Sequence, residues 1–496
     1  MIMTGKSKNW LFLFIGLIVF QGPVYPEVVP EQELLSAMQR ISSHELFYYV
    51  SELCTEKFGG RLTGTPGYND SAQWVIGLLQ AWGIKPAGNQ GTYIQEFPNP
   101  YTLVLPGSEV ILHIPYEKGV FIYKPYRYET DFLPGSTSDT GQATAEVIYV
   151  GYGISAPELN FDEYAGLDVR GKIVLVEREV PISPENEAEE FKKWRPYSFH
   201  QYKVKNAREH GAAGMVYNYP IANPNCEFQP GLIVTYVGDT IVNDLFLGTG
   251  RDHGQVVEKI AKERIPQSFF TGKTMTIKNF TQHHPEGTGW NVLGMIEGSD
   301  PSLKQEAVVL SAHLDHLGYN HELMPGANDN ASGVAVILGV AKALSKSPIK
   351  PRRTVIFAFF GAEEQGVKGA EYFLAQPTFP QEKIFACLNL DGVGRGSKLT
   401  GLAGKNYPQL WKPFDQANQK YIHRVLTPTY FHNRARPRLD AAHFMWAGIP
   451  TISFNAYDAE PLPYPTYHVT ADKPEIITPE IMEDLAQLIF LVLMSF

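Results

Sequence analysis

Cysteine is nearly missing from this chain. Three occur among 496 residues, Cys54, Cys226 and Cys387. An odd number at unpatterned spacing excludes both a disulfide framework and a cysteine-based zinc site. Cys387 sits inside an apolar run and reads as a small core residue; a single Cys54–Cys226 bridge is allowed by count, with nothing in the spacing to support it. Excess basic charge is missing too. Lys and Arg number 42 against 52 Asp and Glu, a net charge of -10, and no basic cluster reverses that balance, which excludes a nucleic-acid surface. Beyond the N-terminus no apolar run is long enough to span a bilayer. Disorder is excluded by the 44% hydrophobic content beside 19% charged residues, the composition of a globular chain with ample core. The length suits two domains.

The N-terminus holds Lys6 and Lys8 followed by the apolar run Trp10–Phe20 and a Pro-rich polar stretch. By charge and length this is a secretory signal, residues 1–26. No small-x-small pair precedes Glu27, so an uncleaved N-terminal anchor is the alternative. The expected location is exported, either periplasmic or extracellular.

Three apolar runs end in metal-ligating residue types. Ala307–Leu310 leads into His313 and Asp315; Thr354–Phe360 leads into Glu363 and Glu364; Ile384–Leu390 leads into Asp391. The first is followed by a loop, Gly326–Gly333 with Asp329 inside it, and then by a helical pattern through Val334, Ile337, Leu338, Ala341 and Leu344. One acidic strand end is ordinary where a chain meets water. Several together, at the carboxyl ends of strands, are where open α/β sheets place ligand groups. Nitrogen and oxygen donors of this kind suit a divalent metal such as zinc. Far downstream Tyr467-His468 lies in a Pro-rich loop.

Helical spacing is expected over Glu31–Lys57 and from Ser71 to Gly83, and a strand over Tyr93–Phe97. From about 128 to 272 the apolar runs shorten and turns multiply. That segment carries a helix near Phe199–His210 and a strand at Ala213–Tyr217 but none of the candidate ligands. Gly151-Tyr-Gly153 only superficially matches a dinucleotide fingerprint, because Pro157 follows and no helical period continues. The segment reads as a mostly-β domain inserted into an α/β domain whose mixed, mostly parallel sheet is sandwiched by helices. The expected division is 27–127 for the N-terminal part, 128–272 for the insert and 273–496 for the main domain, closed by a helix at Pro479–Leu493.

The chain resembles the zinc-dependent aminopeptidases of family M28. The resemblance rests on His313-Leu-Asp315, Asn328-Asp329-Asn-Ala-Ser-Gly333, Gly361-Ala-Glu363-Glu364, Asn389-Leu-Asp391 and Tyr467-His468. The insert resembles a protease-associated (PA) domain through Gly151-Tyr-Gly153, Gly171–Val176, Asn206-Ala207 and Gly211–Gly214. The resemblance implies two zinc ions per chain, one held by His313 and Asp391, the other by Glu364 and His468, with Asp329 bridging them. Glu363 would be the general base, and Asp315 the carboxylate that orients His313. A cis peptide between Asp329 and Asn330 is implied as well. One departure stands out: relatives often carry His directly after the Asp of Arg438-Leu-Asp440, where this chain has Ala441 with His443 two places on. That leaves His316, His321, His432 and His443 as surface or supporting groups, and Arg434, Arg436 and Arg438 as a solvated basic run.

The expected activity is zinc-dependent removal of N-terminal residues from peptides with a free N-terminus, through attack of a metal-bound hydroxide. A carboxypeptidase or a one-metal glutaminyl cyclase on the same fold, and a receptor-like scaffold without catalysis, are the alternatives. Neither nucleic acid nor, apart from the anchor, a membrane is an expected partner. Removing the insert is expected to alter substrate choice or solubility more than metal content.

Overall fold

A computed structural model describes residues 31–117, 119–184, 186–431, 439–456 and 466–496. The apolar run Trp10–Phe20, which the sequence suggests as a secretory signal, His432 and the three arginines 434, 436 and 438 lie outside the described residues. Among those described, no helix is long and apolar enough to cross a membrane, and all three cysteines are free thiols.

The strands ending in candidate ligands lie side by side. Thr354–Phe360, Ala307–His313, Ile384–Leu390 and Thr451–Ala456 are parallel neighbours in that order. Antiparallel strands flank them, Thr288–Ile296 against Thr354–Phe360 and Lys398–Leu402 against Thr451–Ala456. Parallel pairing puts the carboxyl ends of all four central strands at one edge of the sheet, so separated motifs converge there.

Burial on both faces explains why these strands read as continuous apolar runs. Val308, Leu310, Ala312, Val355, Phe357 and Phe359 point to one face and join the core built on helices Ser332–Lys346, Pro479–Ser495 and Ser43–Leu53. Their alternates Val309, Ile356, Ala358 and Phe360 join Phe373 and Phe444 on the other. Period-two alternation thus feeds two separate helical layers. The region expected to be helical over 31–57 is two helices, Glu31–Met38 and Ser43–Leu53, parted by a turn.

A second large sheet carries the insert. Its core, Gly141–Tyr149, Ile173–Glu177, Gly214–Asn218 and Ile233–Val237, is parallel. Helix His200–Glu209 covers one face, while Asp239–Phe246 and His253–Glu263 cover the other. The sheet runs past residues 128 and 272, because the long strands Tyr101–Glu117 and Phe269–His284 pair with each other and Phe269–His284 also pairs with Gly141–Tyr149. It also recruits part of the loop after His313. Tyr319–Asn320 joins the Tyr101–Glu117 strand at its edge, and Leu317 and Met324 enter the insert's core.

Candidate metal centre

Four loops build the site. His313 ends its strand fully buried, while Glu363 and Glu364 follow the Thr354–Phe360 strand through Gly361-Ala362. Asp391 directly follows Leu390. Asp329 occupies the distorted turn before helix Ser332–Lys346, and its peptide bond to Asn330 is cis. His468 reaches in from the loop beyond Thr451–Ala456.

Asp329 lies between two imidazoles. Its Oδ1 is 3.2 Å from His313 Nε2 and its Oδ2 is 3.3 Å from His468 Nε2. Each histidine faces one further carboxylate: Asp391 Oδ1 stands 3.6 Å from His313 Nε2, and Glu364 Oε2 stands 3.1 Å from His468 Nε2. His313, Asp329 and Asp391 can each aim a ligand atom at a common point, as can His313, Glu363 and Glu364, and His316, Asp329 and Glu364. Crowding four carboxylates into a site where Asp329 and Glu364 are buried and Glu363 and Asp391 half-buried is costly unless cations compensate them. His468 Nε2 is itself buried with no hydrogen-bond partner. Two imidazoles and several carboxylates are a donor set that suits zinc, and Asp329 stands between the two imidazoles.

The electrostatics record the crowding. Burial works against ionisation of Asp329, yet the His313 and His468 imidazoles beside its two oxygens hold it well below the usual carboxylate range. Burial likewise opposes ionisation of Glu364, but the His468 charge and the bond from His316 bring it to about 2. Glu363 goes the other way. Burial, reinforced by Glu364, Asp440 and Asp391, pushes its carboxyl well above normal despite His313. Neighbouring glutamates are thereby set apart, one favouring its anion and the other its proton.

Asp315 is fully buried, and its role differs in part from the one implied by resemblance. His313 Nδ1 is 3.1 Å from the Asp315 backbone carbonyl and 3.7 Å from the carboxylate, so the carbonyl is the ring's hydrogen-bonding partner. The carboxylate instead accepts the backbone N–H groups of Glu363 at 3.2 Å and Glu364 at 3.3 Å. It therefore ties the glutamate loop to the histidine strand.

Other residues support the site, of which the sequence singled out only His316, as a surface or supporting group. His316 is fully buried and bonds Glu364 Oε1 through Nδ1 at 2.9 Å; its place three residues after His313 is the only signal it leaves in the chain. Asp472 accepts the N–H groups of Asn328 at 2.8 Å and Asp329 at 3.0 Å, pinning Asp329 from behind. Arg61 is completely buried and donates to the carbonyls of Leu53, Leu314, Pro325 and Gly326, at 2.7 to 2.9 Å. Asp440 is buried with both oxygens unpartnered, and burial with neighbouring carboxylates raises it to about 8. His321 stacks on Tyr128 away from the ligands, and His443 packs against Trp446. The insert supplies none of the five converging side chains, but the carbonyl of its Ala222 lies 2.7 Å from His468 Nδ1.

Comparison with known proteins agrees with this geometry. A vacuolar membrane protease of Candida tropicalis is 32% identical over 184 residues, 37% of this chain and 19% of that protein. An aminopeptidase of Pseudomonas aeruginosa is 27% identical over 354 residues, 70% of this chain and 56% of that protein. The chain thus spans about a fifth of the first relative and just over half of the second. Among solved structures, the aminopeptidase from Aneurinibacillus sp. strain AM-1 shares the fold with a TM-score of 0.63 at 19% identity, covering 92% of this chain and 95% of that one. A zinc aminopeptidase from Bacillus subtilis superposes with a TM-score of 0.59 at 20% identity and the same coverage. Family profiles match within the same frame: residues 291–493 match peptidase family M28, and residues 142–236 match the PA domain.

Proposed function

We propose that this chain is an exported zinc-dependent aminopeptidase. The observation that carries the reading is the bridging Asp329, with one histidine on each of its oxygens and a further carboxylate beside each histidine. His313 and Asp391 would hold one zinc, Glu364 and His468 the other, and Asp329 both. When bound, the ions supply Lewis acidity that polarises a peptide carbonyl and acidifies water. Glu363 takes the proton from that water and passes it to the leaving amine; its environment, which favours the protonated carboxyl, suits a group that must hold a proton between the two events. Asp315 keeps Glu363 in place through the loop backbone, and His316 does the same for Glu364.

A cavity of about 480 Å³ adjoins the glutamate loop between the two sheets, with Tyr101, Gln201, Asn225, Glu227, Gln365 and Lys368 in its wall. That volume suits a small organic group or a few residues of peptide. The names of the relatives support an aminopeptidase, with a free N-terminus as the recognised group. The bounds 27–127, 128–272 and 273–496, and export through residues 1–26, belong to the same proposal. Zinc analysis of the purified protein, beside hydrolysis of aminoacyl-anilides and of N-blocked peptides with free C-termini, tests it. Two zinc ions and anilide hydrolysis are expected. Cleavage of blocked peptides alone would mark a carboxypeptidase, and one zinc with no hydrolysis would remove the two-metal reading.

A further inference from the structure

The His468 loop touches the insert as closely as it touches the metal ligands. His468 Nδ1 lies 2.7 Å from the carbonyl of Ala222, which belongs to the crossing between strands Gly214–Asn218 and Ile233–Val237 of the insert. Both residues are buried. A carbonyl can only accept, so Nδ1 donates to it, and Nε2, on the side of Asp329 and Glu364, is the nitrogen left to ligate a metal. Two residues on, Thr470 donates its backbone N–H to Glu129 Oε1 at 2.5 Å and its hydroxyl to Oε2 at 2.8 Å. Glu129 stands in the turn leading to Phe132–Pro134, the edge strand of the insert's sheet. The Ala222 carbonyl is set in turn by the neighbouring Asn223, whose carbonyl accepts the Tyr236 hydroxyl at 2.6 Å.

The loop after His313 is held by the same unit. Asn320 donates to Pro134 O and Ser136 Oγ, each at 3.1 Å, and its own carbonyl accepts the Tyr128 hydroxyl. The insert therefore grips the chain on both sides of the bridging aspartate.

We infer that the insert is a working part of the metal centre: Ala222 and Glu129 act as positioning residues that fix the ring and loop of His468, so that affinity for the His468-side ion depends on residues that touch no metal. This rests on the two-zinc reading above and revises the expectation that the insert matters little for metal content. A histidine ligand whose other nitrogen loses its partner typically binds metal ~10–100-fold less tightly.

The test uses the full-length chain and zinc alone, titrated against a competing chromogenic chelator. His468→Ala identifies which of two binding steps belongs to His468. Glu129→Ala removes the clamp on Thr470, and Tyr236→Phe releases the Ala222–Asn223 crossing with little change in packed volume. Each should weaken that step by about tenfold or more and leave the other step within about twofold. A merely structural role would lower thermal stability without separating the two steps. If both variants bind two zinc ions as tightly as wild type, the inference is overturned; if wild type itself binds no zinc, the two-metal reading has failed instead.

Discussion

Glu363 and Glu364 are adjacent, chemically identical and set to opposite protonation tendencies by what surrounds them. The two histidines beside Glu364 outweigh burial and hold its carboxyl down at about 2, whereas burial, reinforced by other carboxylates, outweighs His313 at Glu363 and favours its proton. Their substitutions should therefore fail in different ways. Glu363→Gln keeps shape and hydrogen bonding but cannot accept a proton, so turnover should drop at least about a hundredfold while bound zinc stays at the wild-type level, since a positioned base contributes ~10²–10⁴-fold. Glu364→Ala should lower zinc content and activity together, with excess zinc restoring part of the activity. Metal analysis beside initial rates separates the two, and a Glu363→Gln enzyme that keeps most of its activity would sink the assignment.

At the scale of elements, the glutamate loop owes its position to close backbone packing. Helix Lys368–Ala375 enters against the end of strand Thr354–Phe360 through Gly369, where an added Cβ would lie 2.2 Å from the Gly361 carbonyl and 2.4 Å from Asn291 Oδ1. Asn291 locks the pair, donating to the Gly369 carbonyl at 2.9 Å and accepting the Gly361 N–H at 3.1 Å. Neither backbone nor a doubly bonded amide can yield cheaply. Gly369→Ala should cost ~1–3 kcal/mol through overpacking, read as a lower urea midpoint at unchanged slope. Equal stability of variant and wild type would show that this contact is looser than drawn.

At the scale of the whole molecule, unfolding should respond to pH through a group remote from the metal centre. Glu163 is buried in the insert, where its Oε2 accepts the Ile154 N–H at 3.1 Å. Burial outweighs that bond and the nearby Lys203, raising the carboxyl from 4.5 to about 8. Between those values the unfolded chain sheds a proton that the folded chain keeps. Its contribution is therefore fully present below pH 4.5, declines as pH rises, and is lost above about 8. Glu163→Gln removes the ionisation, so its stability relative to wild type should climb from pH 5 to pH 8.5 in urea titrations. A difference independent of pH would mean that Glu163 is ionised in the folded state.

Much of the candidate centre was legible without coordinates. His313, Glu363, Glu364 and Asp391 stand directly at or just beyond strands whose apolar runs are unmistakable, Asp329 lies in the loop before the helix that follows the first of them, and parallel strand order leaves the carboxyl ends at one edge. Such signals are local, since a buried strand declares itself by composition and a ligand by its place after it. The two-layer packing of the main sheet follows from the same runs. What the linear chain could not carry were partners distant in sequence and generic in chemistry. Arg61 is an ordinary arginine until folding places the carbonyls of Leu314, Pro325 and Gly326 around its guanidinium. Asp472 becomes the brace of Asp329 only through backbone amides 143 and 144 residues away. Ala222 had no chemistry to read, because its contribution is a backbone carbonyl, identical at every position, and only the docking of the insert aims it at His468.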